Sequence, residues 1–158
     1  MPVKFVRGDM FQTPKLKSFA HGCNCAGAMG KGVAVEFKNN WPNMYSSYKE
    51  RCKSGLFNPG DVFTWVEGEN TIFNLGTQKT WRTKATLDAV ATSLGSMLAI
   101  AQAKGIKCIG IPRIGAGLGG LVWDDVKAII QEEAQKSDVT LIVFEEFVSG
   151  LDASLSID

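Results

Sequence analysis

At 158 residues, 45% hydrophobic and 21% charged, the chain has the size and composition of one ordinary globular domain, with no need of disulfide or metal staples. A formal net charge of +1 argues against a broad electrostatic footprint for nucleic acid, while leaving open a small nucleotide or a single modified base. No apolar run is long enough to span a bilayer, and no basic-then-apolar signal pattern opens the chain, so a cytoplasmic protein without a membrane partner is expected.

In chain order, Val3 to Arg7 alternates apolar and polar residues and predicts a strand ended by Gly8-Asp9. Phe19 to Cys23 reads as a second, central strand. Val33 to Asn40 predicts a helix, broken at Trp41-Pro42 and resumed from Asn43 to Lys53. Asp61 to Val66 and Thr71 to Leu75 read as strands around the turn Glu67-Gly68-Glu69-Asn70. Thr86 to Lys104 carries Leu87, Val90, Ala91, Leu94, Met97, Leu98 and Ala101 at helical spacing, with Gly105 as its stop. Lys107 to Ile111 predicts a buried strand, Trp123 to Lys136 a helix and Thr140 to Phe144 the last strand; the polar tail from Ser149 to Asp158 is expected to fray. This alternation predicts an α/β fold: a three-layer α/β/α sandwich around a mixed, mostly parallel sheet. No heptad or large apolar stripe is visible, so a monomer is expected.

Two glycine-rich turns stand out, each leaving a strand and entering a helix. They are His21 to Gly32 and Pro112 to Gly120. Glycines let the backbone approach a ligand, and a helix N-terminus offers unpaired N–H groups and a positive dipole end. In open α/β sheets, turns at the carboxyl ends of strands share one crevice, so the pair predicts a clamp around a diphosphate or nucleotide-sized anion. Asp9 and Gly76-Thr77-Gln78-Lys79 fall at the same edge. His21, Cys23 and Cys25 lack the second ligand pair of a structural zinc site and read as buried strand-end groups, so neither metal nor cofactor is expected. Lys79, Arg82 and Lys84 read as a solvated basic face with attraction of an anionic substrate as a second role. Trp41, Trp81 and Trp123 read as packing residues, and Asp124 as a helix-start carboxylate.

The chain resembles a macrodomain, the ADP-ribose-binding α/β/α fold, over nearly its whole length. The resemblance rests on Arg7-Gly8-Asp9-Met10, the stretch Asn24 to Val33, Pro112-Arg113-Ile114-Gly115-Ala116-Gly117-Leu118 and the terminal-strand Phe144. Two branches are closest. His21-x-Cys23-Asn24-Cys25 with Met29-Gly30-Lys31-Gly32-Val33-Ala34 is similar to ADP-ribose-1″-phosphate phosphatases, and the second loop with Leu121-x-Trp123 to terminal ADP-ribose glycohydrolases and their DNA-directed bacterial relatives.

The resemblance implies that Asp9, with Met10, holds adenine against Phe144. It also implies that Asn24, Gly30, Gly32 and Val33 surround the distal ribose, and that Thr77 and Ile114, Gly115, Ala116, Gly117 and Leu118 contact the ligand around the diphosphate. It implies hydrolysis at the 1″ position of ADP-ribose-1″-phosphate, O-acyl-ADP-ribose or ADP-ribosylated protein or nucleic acid, with a non-catalytic ADP-ribose reader as the alternative. The catalytic candidates are Asn24 to orient the ribose, His21 to carry a proton, and Lys79, the lysine that a Schiff-base route would need. In the glycohydrolase branch that lysine follows the threonine directly. Here Gln78 stands there, and one step in an extended segment turns Lys79 to the other face. Gly119-Gly120 likewise stand where the human-type enzyme carries an aspartate.

Overall fold

The structure, a computed structural model, describes residues 2–157. Strands β1 (Val3–Gly8), β2 (Ser18–Asn24), β3 (Val62–Glu67), β4 (Asn70–Gln78), β5 (Cys108–Ile111) and β6 (Thr140–Phe147) form one sheet in the order β1-β6-β5-β2-β4-β3. All neighbours run parallel except β3 and β4, which pair as an antiparallel hairpin. The predicted mixed, mostly parallel sheet is therefore the one that forms.

Helices α1 (Val33–Asn40) and α2 (Pro42–Lys53) cover one face, and α3 (Leu87–Ala103) and α4 (Trp123–Ala134) the other. Strand residues alternate between the two cores, as the pleat requires. Ile72, Ile142 and Phe144 join Phe37, Met44 and Tyr48, whereas Phe73, Leu75, Leu141 and Val143 join Val90, Leu94, Met97 and Ile130. Thr86 starts α3 by accepting the Ala89 N–H on its side chain, and Gly105, at φ +74°, lies just past its end. Pro42 opens α2, where its missing N–H costs nothing. Among the described residues no helix is long and apolar enough to cross a membrane.

Three boundaries depart from the sequence pattern. β4 continues through Gly76, Thr77 and Gln78, and β6 through Glu145, Glu146 and Phe147, because parallel partners on β2 and β1 extend the ladders past the apolar runs. The tail, expected to fray, docks on β1: Asp9 N–H donates to the Leu151 carbonyl at 2.8 Å, and Ala153 N–H to Thr13 Oγ1 at 3.1 Å. A short helix, α5 (Ser154–Ile157), follows, and Asp158 lies outside the described residues.

β2 and β5 are neighbours in the sheet, yet the helix that follows β2 lies on one face and the helix that follows β5 on the other. Their carboxyl ends therefore flank a crevice at a reversal of strand order, the position where open α/β sheets bind ligands. Both glycine turns leave from these two strand ends.

Candidate functional site

The crevice is a cleft of about 500 Å³ floored by Gly22, Thr77 and Ile114. The floor has no spare room: a Cβ on Gly22 would sit 3.0 Å from Thr77 Oγ1. Gly30, Lys31, Gly32 and Val33 form one wall, and Gly115, Gly117, Leu118 and Gly119 the facing one. Leu118 reaches across, its Cδ1 3.4 Å from where a Gly32 Cβ would stand.

The second loop is closed by its own backbone. Gly120 N–H donates to Ala116 O at 2.8 Å and Leu121 N–H to Gly115 O at 2.9 Å, while Ala85 N–H pins Gly119 O at 2.9 Å. Spending carbonyls in this way leaves amides free. Among the described residues, the N–H groups of 115–119, and those of 30–34 at the start of α1, donate to no backbone acceptor. Two facing rows of unpaired N–H groups, one at a helix N-terminus, form an anion site.

Arg113 adds a fixed cation. Its Nε donates to the Glu145 carbonyl at 2.8 Å and its guanidinium lies 5.4 Å from the Trp123 ring centre. Lys127 and Trp123 both donate to the Glu145 carboxylate, at 2.8 and 2.9 Å, and hold that carboxyl below its ordinary range. This network ties β6 and α4 to the cleft wall.

Asn24 lines the cleft, but its amide is engaged in shaping the first loop. Oδ1 accepts the Ala26 and Ala28 N–H groups at 3.0 and 3.2 Å, and Nδ2 donates to Ala28 O at 2.8 Å. The buried Tyr48 hydroxyl donates to the Asn24 carbonyl at 2.6 Å. The Tyr48 hydroxyl also lies 2.9 Å from Oδ1, so any contact of Asn24 with a ribose would use its second amide hydrogen.

His21 does not reach the cleft, which corrects its expected role as proton carrier. It is wholly buried and stacked on Phe37 at 3.8 Å, with Nε2 2.7 Å from Asn74 Oδ1. Asn74 Nδ2 donates to the Phe63 carbonyl, which leaves Oδ1 as acceptor and makes His21 Nε2 the protonated nitrogen. Burial lowers its pKa to about 4, only partly offset by the Asn74 bond, so the ring stays neutral near pH 7. Burial also raises the Cys23 thiol and pushes Cys25 up to about 12, so both stay protonated and are poor metal ligands or nucleophiles.

Lys79 is exposed and outside the cleft lining; Gln78 occupies the lining position. Gln78 Nε2 is tied to the Thr80 and Thr83 carbonyls at 2.9 and 3.0 Å. Three ligand candidates also fall elsewhere. Met10 is 3% exposed in a single 3-10 turn, Phe144 is 4% exposed in the core beside Gly110, and Ala116 lies outside the lining of the cleft. Alternation explains Phe144: the side chain at the end of the predicted strand points into the sheet face, whereas β6 runs on to Phe147, which is 65% exposed.

Asp9 lines a second depression with Phe11, Glu36, Asn40, Trp41 and Phe147. Its two carboxylate oxygens accept the Phe11 and Gly150 N–H groups, both at 3.0 Å. Asp9→Ala is thus expected to cost about 1.5–3 kcal/mol of stability, the scale of a hydrogen bond to a charged group. Urea unfolding measures this, and faster proteolysis around 148–153 should accompany it. An unchanged denaturation midpoint would show that Thr13 and Leu151 alone retain the tail.

Sequence reasoning brought Gln78 and Arg113 to the crevice edge without giving either a role, and it missed Trp81 as a cleft residue. Trp81, expected to pack, is 57% exposed; its only sequence signal was a large aromatic standing alone in a polar run.

The profile of the family described as Macro domain matches residues 20–130, which contain both glycine loops and the strands that carry them. The chain belongs to the macro domain family. This macro domain is 35% identical, over 82% of its length, to a protein of Thermus aquaticus named DNA ADP-ribosyl glycohydrolase, and spans 37% of that protein. It is 31% identical to the human protein named ADP-ribose glycohydrolase OARD1, with 90% of each chain covered. The solved macrodomain of Thermus aquaticus DarG superposes with a TM-score of 0.82 at 34% identity, covering 90% of this chain and 97% of that one. The macro domain described here thus corresponds to well under half of the first relative's length and to nearly the whole of the second's.

Proposed function

We propose that this macro domain binds the ADP-ribose portion of an ADP-ribosylated molecule and hydrolyses the bond at the distal-ribose C1″ carbon, releasing ADP-ribose. The observation that carries the reading is the pair of facing amide rows at 30–34 and 115–119, flanked by Arg113 and Lys31. The names of the similar Thermus and human proteins support the same reaction class. The diphosphate lies across the amide rows, where fixed dipoles stabilise its charge without reorganisation. The distal ribose rests on the floor of Gly22, Thr77 and Ile114. Adenine extends past the first turns of α1 toward Asp9, whose carboxylate keeps lone pairs for an exocyclic amino group, and Phe147. Four thiols free of disulfides accord with a cytoplasmic setting.

Among the described residues the cleft lining holds no carboxylate, imidazole or Lys79, so a positioned water attacks C1″ as the leaving group departs. The water's proton passes to solvent or to a substrate phosphate oxygen. The same observation favours the second reading, a module that binds ADP-ribose without turnover.

Calorimetry should show ADP-ribose binding at least tenfold tighter than AMP, since AMP lacks the second phosphate and distal ribose that the loops hold. Incubation with ADP-ribosylated protein, ADP-ribosylated DNA or ADP-ribose-1″-phosphate should release ADP-ribose, and borohydride present during turnover should trap no adduct. Equal affinity for AMP sinks the clamp. Binding without release selects the reader, and a trapped lysine adduct replaces water with a covalent route.

A further inference from the structure

Three side chains of the cleft lining carry an oxygen: Asn24, Thr77 and Gln78. Asn24 Oδ1 already accepts the Ala26 and Ala28 N–H groups and lies 2.9 Å from the Tyr48 hydroxyl. Thr77 is buried, and its hydroxyl donates to the Cys23 carbonyl at 3.4 Å. Gln78 differs from both. Its Nε2 donates to the Thr80 carbonyl at 2.9 Å and to the Thr83 carbonyl at 3.0 Å, which uses both amide hydrogens. The two carbonyls also decide which amide atom is which, because a flipped amide would set Oε1 against two acceptors. Oε1 keeps its lone pairs, and among the described residues it accepts from none.

The backbone at this point places Gln78 beside the floor of the cleft. The register of β4 against β2 shifts between Cys23 and Asn24, so that Cys23 pairs with Gly76 but Asn24 with Gln78. The extra residue brings two consecutive side chains, Thr77 and Gln78, to the lining of one cleft, as a bulge does when it re-aims a side chain. Cys25 N–H donates to the Gln78 carbonyl at 2.9 Å and holds the end of the ladder. Gln78 therefore stands across from the first glycine loop, next to the Gly22, Thr77 and Ile114 floor.

The other nitrogen-bearing side chains of the lining, Lys31, Arg113 and Trp81, are donors only, as are the two amide rows. Donors suit a diphosphate but not a nucleophilic water, because they occupy the lone pair that must attack. An acceptor takes a water hydrogen and leaves that lone pair free. We propose that Gln78 Oε1 holds and orients the water that attacks C1″, an inference that rests on the hydrolytic reading of the cleft. The amide orients the water without acting as its base. The water oxygen bonds to C1″ as the bond from C1″ to the leaving group breaks, and the electron pair of that bond departs with the group. One water proton passes to solvent or to a substrate phosphate oxygen, and the leaving group takes its proton from solvent. Little base strength is needed, because C1″ carries oxocarbenium-like charge in the transition state.

The test follows turnover of ADP-ribosylated protein, ADP-ribosylated DNA and ADP-ribose-1″-phosphate, with calorimetry of free ADP-ribose to report that the cleft is intact. Gln78→Met keeps the side-chain length and has no amide. It should lower kcat roughly 100-fold, the scale of a misplaced reactant, on every substrate that the wild type cleaves. KM and ADP-ribose affinity should stay within about threefold of wild type, because Oε1 touches the water and not the ligand. Gln78→Glu keeps accepting oxygens but loses the paired donors to Thr80 and Thr83, so it separates water orientation from the tethering of residues 79–84. Its kcat should exceed that of Gln78→Met and rise with pH through a carboxyl inflection that the wild type lacks, since ionisation frees both oxygens to accept. Equal slowing of the two variants at every pH assigns Gln78 to holding residues 79–84 and overturns the proposal. A loss confined to KM, or an unchanged kcat in Gln78→Met, overturns it as well. A wild type that binds ADP-ribose yet releases none from any of the three substrates sinks the hydrolytic reading itself, and this inference with it.

Discussion

Gly119→Ala is expected to lower ADP-ribose affinity by about 100-fold while the domain stays folded. A Cβ at Gly119 would lie 2.6 Å from the Gly115 carbonyl oxygen and 2.9 Å from Gly115 Cα, distances that real Cβ atoms do not show. The obstacle is backbone, so no rotamer change relieves it. Gly115 is itself held at φ +71°, so the loop has to unwind and its free amides no longer converge. Losing two hydrogen bonds to a charged diphosphate costs on the order of 3 kcal/mol, which is the 100-fold. Calorimetry with ADP-ribose reads the affinity, and thermal melting followed by circular dichroism should show a shift of only a few degrees, because the loop lies outside both cores. Affinity like that of the wild type would show that the loop's conformation does not determine binding.

The second large effect is on stability and runs through His21. Its folded-state pKa is about 4, against 6.5 for the free side chain, because burial beside Phe37 disfavours the charged ring. Between these values the unfolded chain binds a proton that the folded chain refuses, so stability rises with pH there. The contribution is complete above about pH 6.5 and lost as pH falls to about 4, amounting to about 3 kcal/mol at about 1.4 kcal/mol per pH unit. Urea unfolding at pH 7.5 and 4.5 should show this loss in the wild type. His21→Gln, which can keep a bond to Asn74, should be weaker at neutral pH and flatter across the range. If the wild type and His21→Gln respond equally to acid, other groups carry the acid sensitivity. A pH–rate profile with a histidine inflection abolished in His21→Gln would restore the ring to the chemistry.

The contrast between His21 and Gln78 shows where local reading stops. That Lys79 falls out of register was legible, because side chains alternate along a strand and one residue changes the face. Gln78 lines the cleft and Lys79 lies outside it. His21 obeyed the same alternation, but nothing in its neighbourhood says which face of β2 is open at that level. α1 decides it, by laying Phe37 flat on the imidazole. Phe144 failed for a related reason: β6 runs past its apolar stretch because β1 continues to pair with it, so the aromatic at the true strand end is Phe147.

By itself the sequence determined the alternating α/β architecture, the mixed sheet and the two glycine turns at strand ends. These rest on hydrophobic periodicity and on glycine's freedom from a Cβ, both properties of a few consecutive residues. Only the tertiary structure decided which polar groups face the cleft. Burial of His21 against Asn74 and Phe37 and anchoring of Arg113 by the Glu145 carbonyl each depend on groups distant in sequence. A side chain's chemistry is set by what covers it, and the cover comes from other elements of the fold.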